Sequence, residues 1–159
     1  ISAASARTQA LHFGPGDFQA SMGMPSVSLG QLNPDYPGDV LHHVYGRLLV
    51  SARAHDLQVL DGPYLAIKDL DGLSAASKRV AAMGFDGKTL IHPGQIDVAN
   101  MVFGFDDAAV AHAARVLETW AAAEAAGKGV AELDGKLIEN LHAAEAERIL
   151  AFARALAAR

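Results

Sequence analysis

Short apolar segments that alternate with amphipathic helical stretches constrain the fold of residues 1 to about 103 more than any other feature. The segments lie at 10–13, in "LQVLDGPY" and in "GKTLIHP". Strands and helices in alternation favour parallel strands that are joined by right-handed crossovers. The pattern therefore predicts an α/β fold for this region.

The stretches between the strands have helical periodicity. Asp39 is expected to cap a helix over about 40–55. Asp71 is expected to open a second helix, which ends at Gly84. A short helix over 95–102 follows the third strand. The apolar stripes of the first two helices are formed by Leu41, Val44, Leu48 and Ala52, and by Leu73, Ala76, Val80 and Met83.

Polar residues follow each predicted strand at its carboxyl end. Asp17 comes after the turn Gly14-Pro15-Gly16, Asp61 ends the second strand, and His92 ends the third. Because the carboxyl ends of parallel strands meet at one edge, we expect these side chains on one rim. The glycines before Asp17 would let a ligand approach the backbone there.

Each of these residues also has a structural interpretation on the sequence alone. Asp17 has the residue type of a helix cap or a turn. Asp61 belongs to an Asp-Gly-Pro sequence that is common in turns. His92 would equally suit a core position in which it bonds a backbone carbonyl. Both kinds of role stay open at this point.

Three parallel strands leave sheet edges and one sheet face uncovered. In a barrel of eight strand–helix units, catalytic groups gather at the carboxyl rim, as is expected here. We therefore expect about five further units upstream of Ile1, where the sequence starts without a Met. On this interpretation residues 1–103 contain the last strands and helices of the barrel.

The sequence pattern of residues 104–159 differs from that of the preceding region and predicts a small lid domain. Asp106 is expected to cap a long Ala-rich helix that Gly127 ends. The stretch "VAELDGKLIE" predicts a hairpin around Asp134-Gly135, and Asn140 is expected to cap a last helix. The apolar sides of the two helices are formed by Val110, Ala113, Leu117, Trp120 and Ala121, and by Ile149, Phe152 and Leu156.

The composition restricts the classes of function. A net charge of -5 gives no reason to expect nucleic-acid binding. No stretch has the length of a membrane span, and the start has no signal-peptide pattern. The chain has no cysteine, which excludes disulfides and thiolate metal sites and suits a reducing compartment. We therefore predict a cytoplasmic protein without a membrane or nucleic-acid partner.

Four stretches carry a resemblance to a known family: "SARTQALHFGPGDFQASMGM", "LQVLDGPYLAIKDLDG", "GFDGKTLIHPGQI" and "DGKLIENLHAAEAERIL". They resemble the HpcH/HpaI aldolase and citrate lyase β-subunit family, and the first is most similar to malyl-CoA/β-methylmalyl-CoA lyases. The resemblance implies a TIM (β/α)8 barrel of roughly twice this length, of which this chain is the carboxyl-terminal half. It also implies a homo-oligomer, a trimer or hexamer, in which the lid reaches a neighbouring subunit.

The resemblance assigns roles to particular residues. Asp17 would be a magnesium ligand, with manganese as an alternative metal, and would bind substrate through it. The second metal carboxylate, a Glu, and a substrate-binding Arg would lie upstream. The backbone at Gly16, together with Ile91 and His92, would line the acyl-CoA pocket. Glu139 stands where family lids usually carry an Asp, and it would be the catalytic acid–base residue.

The implied reaction is a reversible Claisen-type cleavage of malyl-CoA or β-methylmalyl-CoA. The products would be acetyl-CoA or propionyl-CoA and glyoxylate, so a CoA thioester and a glyoxylate-like keto acid are the expected partners. Two alternatives from the same family are a (3S)-malyl-CoA thioesterase and a citrate lyase β subunit. An alternative of another class is a non-catalytic scaffold fragment.

Overall fold

A computed structural model gives the fold of residues 2–25 and 29–158. The chain divides into two compact units, Ile1–Gly104 and Phe105–Arg159. Among the described residues, no helix combines the length and the apolar character that crossing a membrane requires.

Three parallel strands form the sheet of the first unit. They are β1 (Ala10–His12), β2 (Gln58–Asp61) and β3 (Gly87–Lys88), in the order β1-β2-β3. Leu11 pairs with Val59, and Leu60 pairs with Gly87. The predicted parallel α/β arrangement of this region is confirmed.

The third strand is shorter than the prediction over "GKTLIHP". The Thr89 amide still donates to the Asp61 carbonyl at 2.9 Å. The Ile91 amide instead donates to the Gln95 side chain at 3.2 Å. The chain therefore leaves the sheet before Pro93 is reached, and a 3-10 turn follows over Pro93–Gln95.

The α-helices of the described first unit are α1 (Pro15–Ser21), α2 (His42–Arg53), α3 (Leu70–Met83) and α4 (Ile96–Phe103). Helices α2, α3 and α4 correspond to the three predicted helices, and α2 is shorter than predicted. Helix α1 was not predicted. Its first residue is a proline, whose fixed φ suits the start of a helix.

The predicted cap of α2 is wrong, and α3 begins slightly before the predicted residue. Asp39 accepts the Leu41 amide at 2.9 Å, but Leu41 itself is the residue that precedes α2. Asp69, rather than Asp71, caps α3, and its carboxylate accepts a backbone amide of the first turn at 2.9 Å. Asp71 lies within that turn, where a negative charge is also favourable.

An aromatic core lies between the sheet and helices α2 and α3. The Tyr45 ring meets those of Phe13 and Phe85 edge-on, at centroid distances of 5.4 and 5.3 Å. Ala52 and Val59 are fully buried in the same cluster. Edge-to-face contacts of this kind add to the stabilisation that burial alone provides.

The two faces of the sheet carry different side chains, since side chains alternate along a strand. Val59 belongs to the core under the helices. Asp61, two residues later, points to the same side, and Lys88 pairs with it in register. His12 and Leu60 point to the opposite face. Charged and polar groups at the carboxyl edge are therefore divided between two faces.

The second unit consists of a helix, a hairpin and a helix. These elements are α5 (Asp107–Ala125), β4 (Ala131–Leu133), β5 (Lys136–Ile138) and α6 (Asn140–Ala157). Strands β4 and β5 are antiparallel, and Asp134 and Gly135 have the positive φ values (52° and 75°) of a two-residue hairpin turn. The predicted hairpin is confirmed.

The two helix caps predicted in this unit have different outcomes. Asp106 accepts the Ala109 amide at 2.7 Å and caps α5, as predicted. Glu139, rather than Asn140, is the residue before α6, because the chain is still extended there (φ −132°, ψ 172°). Its amide donates to His142 Nδ1 at 3.0 Å. The prediction that Asn140 caps α6 is therefore wrong.

The core of the second unit lies between its helices and the hairpin. It is formed by Ala113, Val116, Leu117, Trp120, Ile138, Ala146 and Ile149. Ala121, which was expected on the apolar side, is exposed, and Val116 is buried instead. Phe152 and Leu156 remain 43% and 59% exposed, although the Phe152 ring meets that of Phe105 edge-on at 5.4 Å.

Candidate active site at the carboxyl edge of the sheet

Asp17 lies in the first turn of α1, directly after the turn that leaves β1. Gly14 is the residue before the helix, so the interpretation of Asp17 as a helix cap is wrong. The carboxylate is exposed and makes no hydrogen bond or ion pair with the described residues. A negative charge is favourable next to the amides of a helix N-terminus. Asp17 therefore offers a carboxylate at the carboxyl edge of the sheet.

The turn that carries Asp17 is packed against the end of β2. A Cβ at Gly62 would overlap the Pro15 ring and would lie 3.0 Å from the Phe13 carbonyl oxygen. Only a glycine allows the two turns to approach this closely. Gly62 thus fixes the start of α1, and with it the position of Asp17, against the neighbouring strand.

A loop segment covers the Gly16 backbone. A Cβ at Gly16 would lie 3.2 Å from Leu29 Cδ1. The Leu29 carbonyl accepts the Leu65 amide at 3.3 Å, and the Gly30 carbonyl accepts an Arg79 guanidinium N–H at 3.2 Å. Contacts with the β2–α3 connection and with α3 therefore hold this loop beside the turn of Asp17.

Asp61 lies at the predicted edge of the sheet, but it faces the helices. Its carboxylate forms an ion pair with Lys88, and the two side chains are only 5% and 1% exposed. Burial raises the pKa of the nearby Tyr45 hydroxyl well above its usual value, and the Asp61 charge raises it further. Asp61 is thus engaged by the protein, not open to a ligand as the rim interpretation suggested.

His92 is exposed at the start of the turn after β3. Its Nδ1 accepts the Gly94 amide at 3.0 Å, so the neutral imidazole carries its proton on Nε2. The alternative of a core histidine bonded to a carbonyl is therefore wrong. The preceding Ile91 is 46% exposed. Both residues lie in the segment that follows β3 at the carboxyl edge of the sheet. Asp17 follows β1 at the same edge.

Gln95 holds the turns after β2 and β3 together, which sequence reasoning missed. The side chain is fully buried. Its Oε1 accepts the Ile91 amide at 3.2 Å, and its Nε2 donates to the Tyr64 carbonyl at 3.0 Å. A glutamine at the start of a helix is usually solvated, so nothing in the sequence marks this residue.

A second polar contact that sequence reasoning missed joins β1 to the segment after β3. His12 Nε2 and Thr89 Oγ1 are 2.7 Å apart. His12 points to the face of the sheet opposite α2 and α3, on the other side from the pair of Asp61 and Lys88. The carboxyl edge therefore has a polar pair on its open face as well.

Glu139 belongs to the second unit and follows β5. Its side chain is half-buried, and the residue is held at the start of α6 by the bond of its amide to His142. Among residues 2–25 and 29–158, no three His, Asp or Glu side chains cluster in a way that could hold a metal ion. Asp17 is thus a single carboxylate rather than part of a complete metal site.

The sequence matches a known family and its curated relatives. A profile of the HpcH/HpaI aldolase/citrate lyase family matches residues 1–93. The (3S)-malyl-CoA thioesterase of Cereibacter sphaeroides is 50% identical over 113 residues, which cover 71% of this chain and 40% of that protein. The L-malyl-CoA/beta-methylmalyl-CoA lyase of the same species is 35% identical over an alignment of 167 positions, which covers 99% of this chain and 52% of that protein. This chain spans about half of the length of these relatives, or less.

Solved structures share the fold. CitE from Mycobacterium tuberculosis, in complex with magnesium, acetoacetate and coenzyme A, is similar with a TM-score of 0.73 and 31% identity, over 96% of this chain and 54% of CitE. A citrate lyase from Burkholderia xenovorans has the same TM-score of 0.73 at 20% identity, which supports the α/β fold alone. The chain therefore belongs to the HpcH/HpaI aldolase/citrate lyase family, whose related members are lyases and a thioesterase.

Proposed function

We propose that this chain is the carboxyl-terminal half of a magnesium-dependent carbon–carbon lyase. The substrate would be malyl-CoA or β-methylmalyl-CoA, and the products acetyl-CoA or propionyl-CoA and glyoxylate. The observation that carries the proposal is the exposed Asp17 carboxylate at the carboxyl edge of a parallel sheet. The 35% identity to a malyl-CoA lyase over 99% of the chain supports it.

The proposed architecture is the last part of a TIM barrel over residues 1–103 and a lid over 104–159. The similarity to CitE over 96% of this chain and the division into two compact units support this architecture. Parallel strands, short connections and polar groups at the carboxyl edge are also what the last units of such a barrel require. The remaining strands would precede Ile1 in a longer protein.

Asp17 has the chemistry of a magnesium ligand, since hard cations take carboxylate oxygens. This chain would supply Asp17, and a Glu on an upstream strand would supply a second carboxylate. When bound, the metal would polarise the carbonyl and carboxylate oxygens of an α-keto acid. The donor type and the lack of a protein partner for Asp17 among the described residues fit this role, and manganese takes similar ligands.

Glu139 is the proposed acid–base residue. In cleavage, the bond between C2 and C3 of the hydroxyacyl group breaks, the hydroxyl proton passes to a base that the full-length protein would supply, and the glyoxylate carbonyl forms. The electron pair of the broken bond becomes the thioester enolate, which takes up a proton at its α-carbon. Glu139 would give that proton in cleavage and remove it in condensation. Its place at the start of α6 would hold the carboxylate in a defined position.

The lid is proposed to deliver Glu139 to a neighbouring subunit of a homo-oligomer, a trimer or hexamer. Leu137 and Leu141 are 56% and 64% exposed and border a cavity of about 360 Å³ in the second unit. Exposed apolar side chains that lie together mark a surface that a partner covers. Closure of the lid would exclude water, which otherwise quenches the enolate.

Gly16, Ile91 and His92 are proposed to line the acyl-CoA pocket. Ile91 offers an exposed apolar side chain. The Nδ1 atom of His92 is used by the Gly94 amide, so Nε2 is the nitrogen that can donate to a ligand. Gly16 would contribute its backbone, because Leu29 already occupies the side on which a side chain would stand.

A second candidate is a (3S)-malyl-CoA thioesterase, which the 50% identity over 71% of this chain favours. Hydrolysis would use the same carboxylates with a positioned water instead of a departing enolate. The similarity to CitE supports a third candidate, a citrate lyase β subunit, which would act on a carrier-protein thioester.

A product assay of the full-length protein tests the proposal. Malyl-CoA, β-methylmalyl-CoA and citramalyl-CoA would be incubated with magnesium, and the products identified by mass. Glyoxylate with acetyl-CoA or propionyl-CoA, or pyruvate with acetyl-CoA from citramalyl-CoA, supports a lyase. Free CoA with the corresponding hydroxy diacid, such as malate, supports a thioesterase. No turnover of a free CoA thioester would reject both, and a carrier-protein thioester would then test the third candidate. The scaffold alternative predicts no turnover of any of these substrates.

A further inference from the structure

We infer that His12 is a further substrate-binding residue, which contacts the keto-acid end of the substrate, and that Thr89 positions its imidazole. This inference rests on the proposed function. It assigns a ligand contact to the open face of the sheet, where the resemblance to known enzymes assigned none.

The geometry begins with two segments that are not neighbours in the sheet. His12 ends β1, Thr89 directly follows β3, and β2 lies between them. The 2.7 Å contact between His12 Nε2 and Thr89 Oγ1 therefore bridges the face of β2 near Leu60, which is the register partner of His12. A contact of this length fixes the plane and the direction of the imidazole.

The contact uses only one of the two ring nitrogens of His12. Nδ1 remains for a ligand, as a donor or an acceptor according to the tautomer that Thr89 stabilises. Because the ring is already held by Thr89, less conformational entropy is lost when a ligand binds to Nδ1. A preorganised group of this kind suits the recognition of a small polar ligand.

The surroundings indicate which part of the substrate would meet His12. The strand residues nearest to His12 on this face, Leu60 and Gly87, are apolar or lack a side chain, and the polar Gln58 lies at the other end of β2. Asp17, the proposed metal ligand, follows on the chain that leaves β1. The keto acid is small and carries a carboxylate and a carbonyl, whereas the CoA moiety is too large for the inner face of a barrel. The keto-acid end is therefore the part that fits His12.

Steady-state kinetics of the full-length protein in the condensation direction provide the test. His12→Leu should raise KM for glyoxylate about tenfold, the effect of one lost hydrogen bond, and leave KM for acetyl-CoA unchanged. His12→Asn should recover part of the loss, because its amide keeps a polar atom close to the place of Nδ1. Thr89→Val should change KM for glyoxylate in the same direction, and Thr89→Ser should behave as wild type.

His55→Leu is the matched control, because His55 is exposed in the turn before β2, away from the carboxyl edge. If His12→Leu changes KM for glyoxylate no more than this control does, the inference is wrong and the proposed function stands. If the enzyme proves to be a thioesterase, the same comparison applies to KM for malyl-CoA. Thermal unfolding of each variant identifies one that has lost its fold.

A binding measurement decides the inference even where the proposed function fails. The ring resonances of His12, assigned by their loss in His12→Leu or His12→Asn, should shift when glyoxylate and magnesium are added to the full-length protein. Those of His55 should not shift. If the protein turns over no thioester, the proposed function is rejected and this titration alone tests His12. Unmoved His12 resonances would overturn the inference in every case.

Discussion

The Lys88 ammonium pairs with the Asp61 carboxylate on the helix-covered face of the sheet, where water barely reaches either group. The two residues are register partners on β3 and β2, and their side chains are 1% and 5% exposed. Asp17, the proposed metal ligand, is exposed and is not part of this buried pair. We therefore expect the pair of Lys88 and Asp61 to contribute to the stability of the fold rather than to turnover.

Removal of one partner of this pair should be costly. We expect Lys88→Met to lower the free energy of unfolding by about 3–5 kcal/mol, because the Asp61 carboxylate would remain buried without its partner. A double variant, Asp61→Leu with Lys88→Met, should recover most of the loss, since two apolar side chains replace the two charges. Denaturant unfolding measures both effects.

The exposed pair of Arg115 and Asp134 is the control, with side chains that are 53% and 55% exposed. Arg115→Met should change stability little, because solvent screens charges at such a site. If the double variant at residues 61 and 88 were no more stable than Lys88→Met alone, the explanation by an unpaired buried charge would be wrong.

Tyr45 should make the fold sensitive to alkaline pH. Its pKa is raised by burial first and by the Asp61 charge second. The folded protein then keeps a proton that the unfolded chain releases above about pH 10. The corresponding stability is fully present below that pH and is lost as the pH rises above it.

Tyr45→Phe should flatten the fall in the free energy of unfolding between about pH 10 and 12, because this side chain no longer titrates in the unfolded chain. Tyr36→Phe is the control, since Tyr36 is 52% exposed. Denaturant unfolding at a series of pH values gives the two slopes. Equal slopes for Tyr45→Phe and wild type would show that other groups cause the alkaline loss.

Asp17→Asn should abolish magnesium-dependent turnover in the full-length protein and leave the fold intact. The amide keeps the size of the side chain but loses the charge that a hard cation requires. Asp97→Asn is the matched control, because Asp97 is also an exposed acid in the first turn of a helix. Activity at limiting magnesium and thermal unfolding are the measurements. Unchanged activity of Asp17→Asn would remove this residue from the metal site.

Glu139→Gln should lower turnover about 10²-fold or more, the usual scale for the loss of a general acid–base group, with little effect on substrate binding. Glu132→Gln, an exposed change on β4 of the same unit, should leave kcat unchanged. Steady-state kinetics separate kcat from KM in both variants. A loss that appeared in KM alone would assign Glu139 a binding role.

Mixed oligomers test whether the lid acts between subunits. Asp17→Asn and Glu139→Gln subunits, mixed under conditions of proven exchange, should regain part of the activity. Some active sites would then receive Asp17 from one chain and Glu139 from another. Absence of recovery would mean that Glu139 acts within its own chain, or that it does not act in turnover.

Local sequence signals predicted which helices and strands form better than they predicted the residues at which these elements begin and end. The Asp134-Gly135 hairpin and the three parallel strands could be predicted, because turn residues and apolar periodicity act over short distances. The predicted start of α3 at Asp71 was slightly late because Asp69 and Asp71 both suit a helix start. Asp69 is also held by a contact within the β2–α3 connection, in which its carboxylate accepts the Tyr64 hydroxyl at 2.6 Å.

The contacts that organise the candidate site lie beyond such local reasoning. His12 and Thr89 are 77 positions apart, and Gln95 reaches a carbonyl 31 positions away. Sequence patterns place residues on an edge, but only the folded chain shows which side chain meets which partner. Asp61 illustrates this limit of sequence patterns, because its position at the carboxyl edge was predicted but its ion pair with Lys88 was not.

The close approach of Gly62 to Pro15 has a consequence for how this chain tolerates mutation. Any side chain at position 62 would push the Pro15 ring away and move the start of α1, which carries Asp17. In a library of variants that is selected for activity, substitutions at position 62 would therefore be eliminated as completely as substitutions at a ligand-binding position. A survey of tolerated substitutions would rank Gly62 with the active-site residues, although its constraint is the space between two turns.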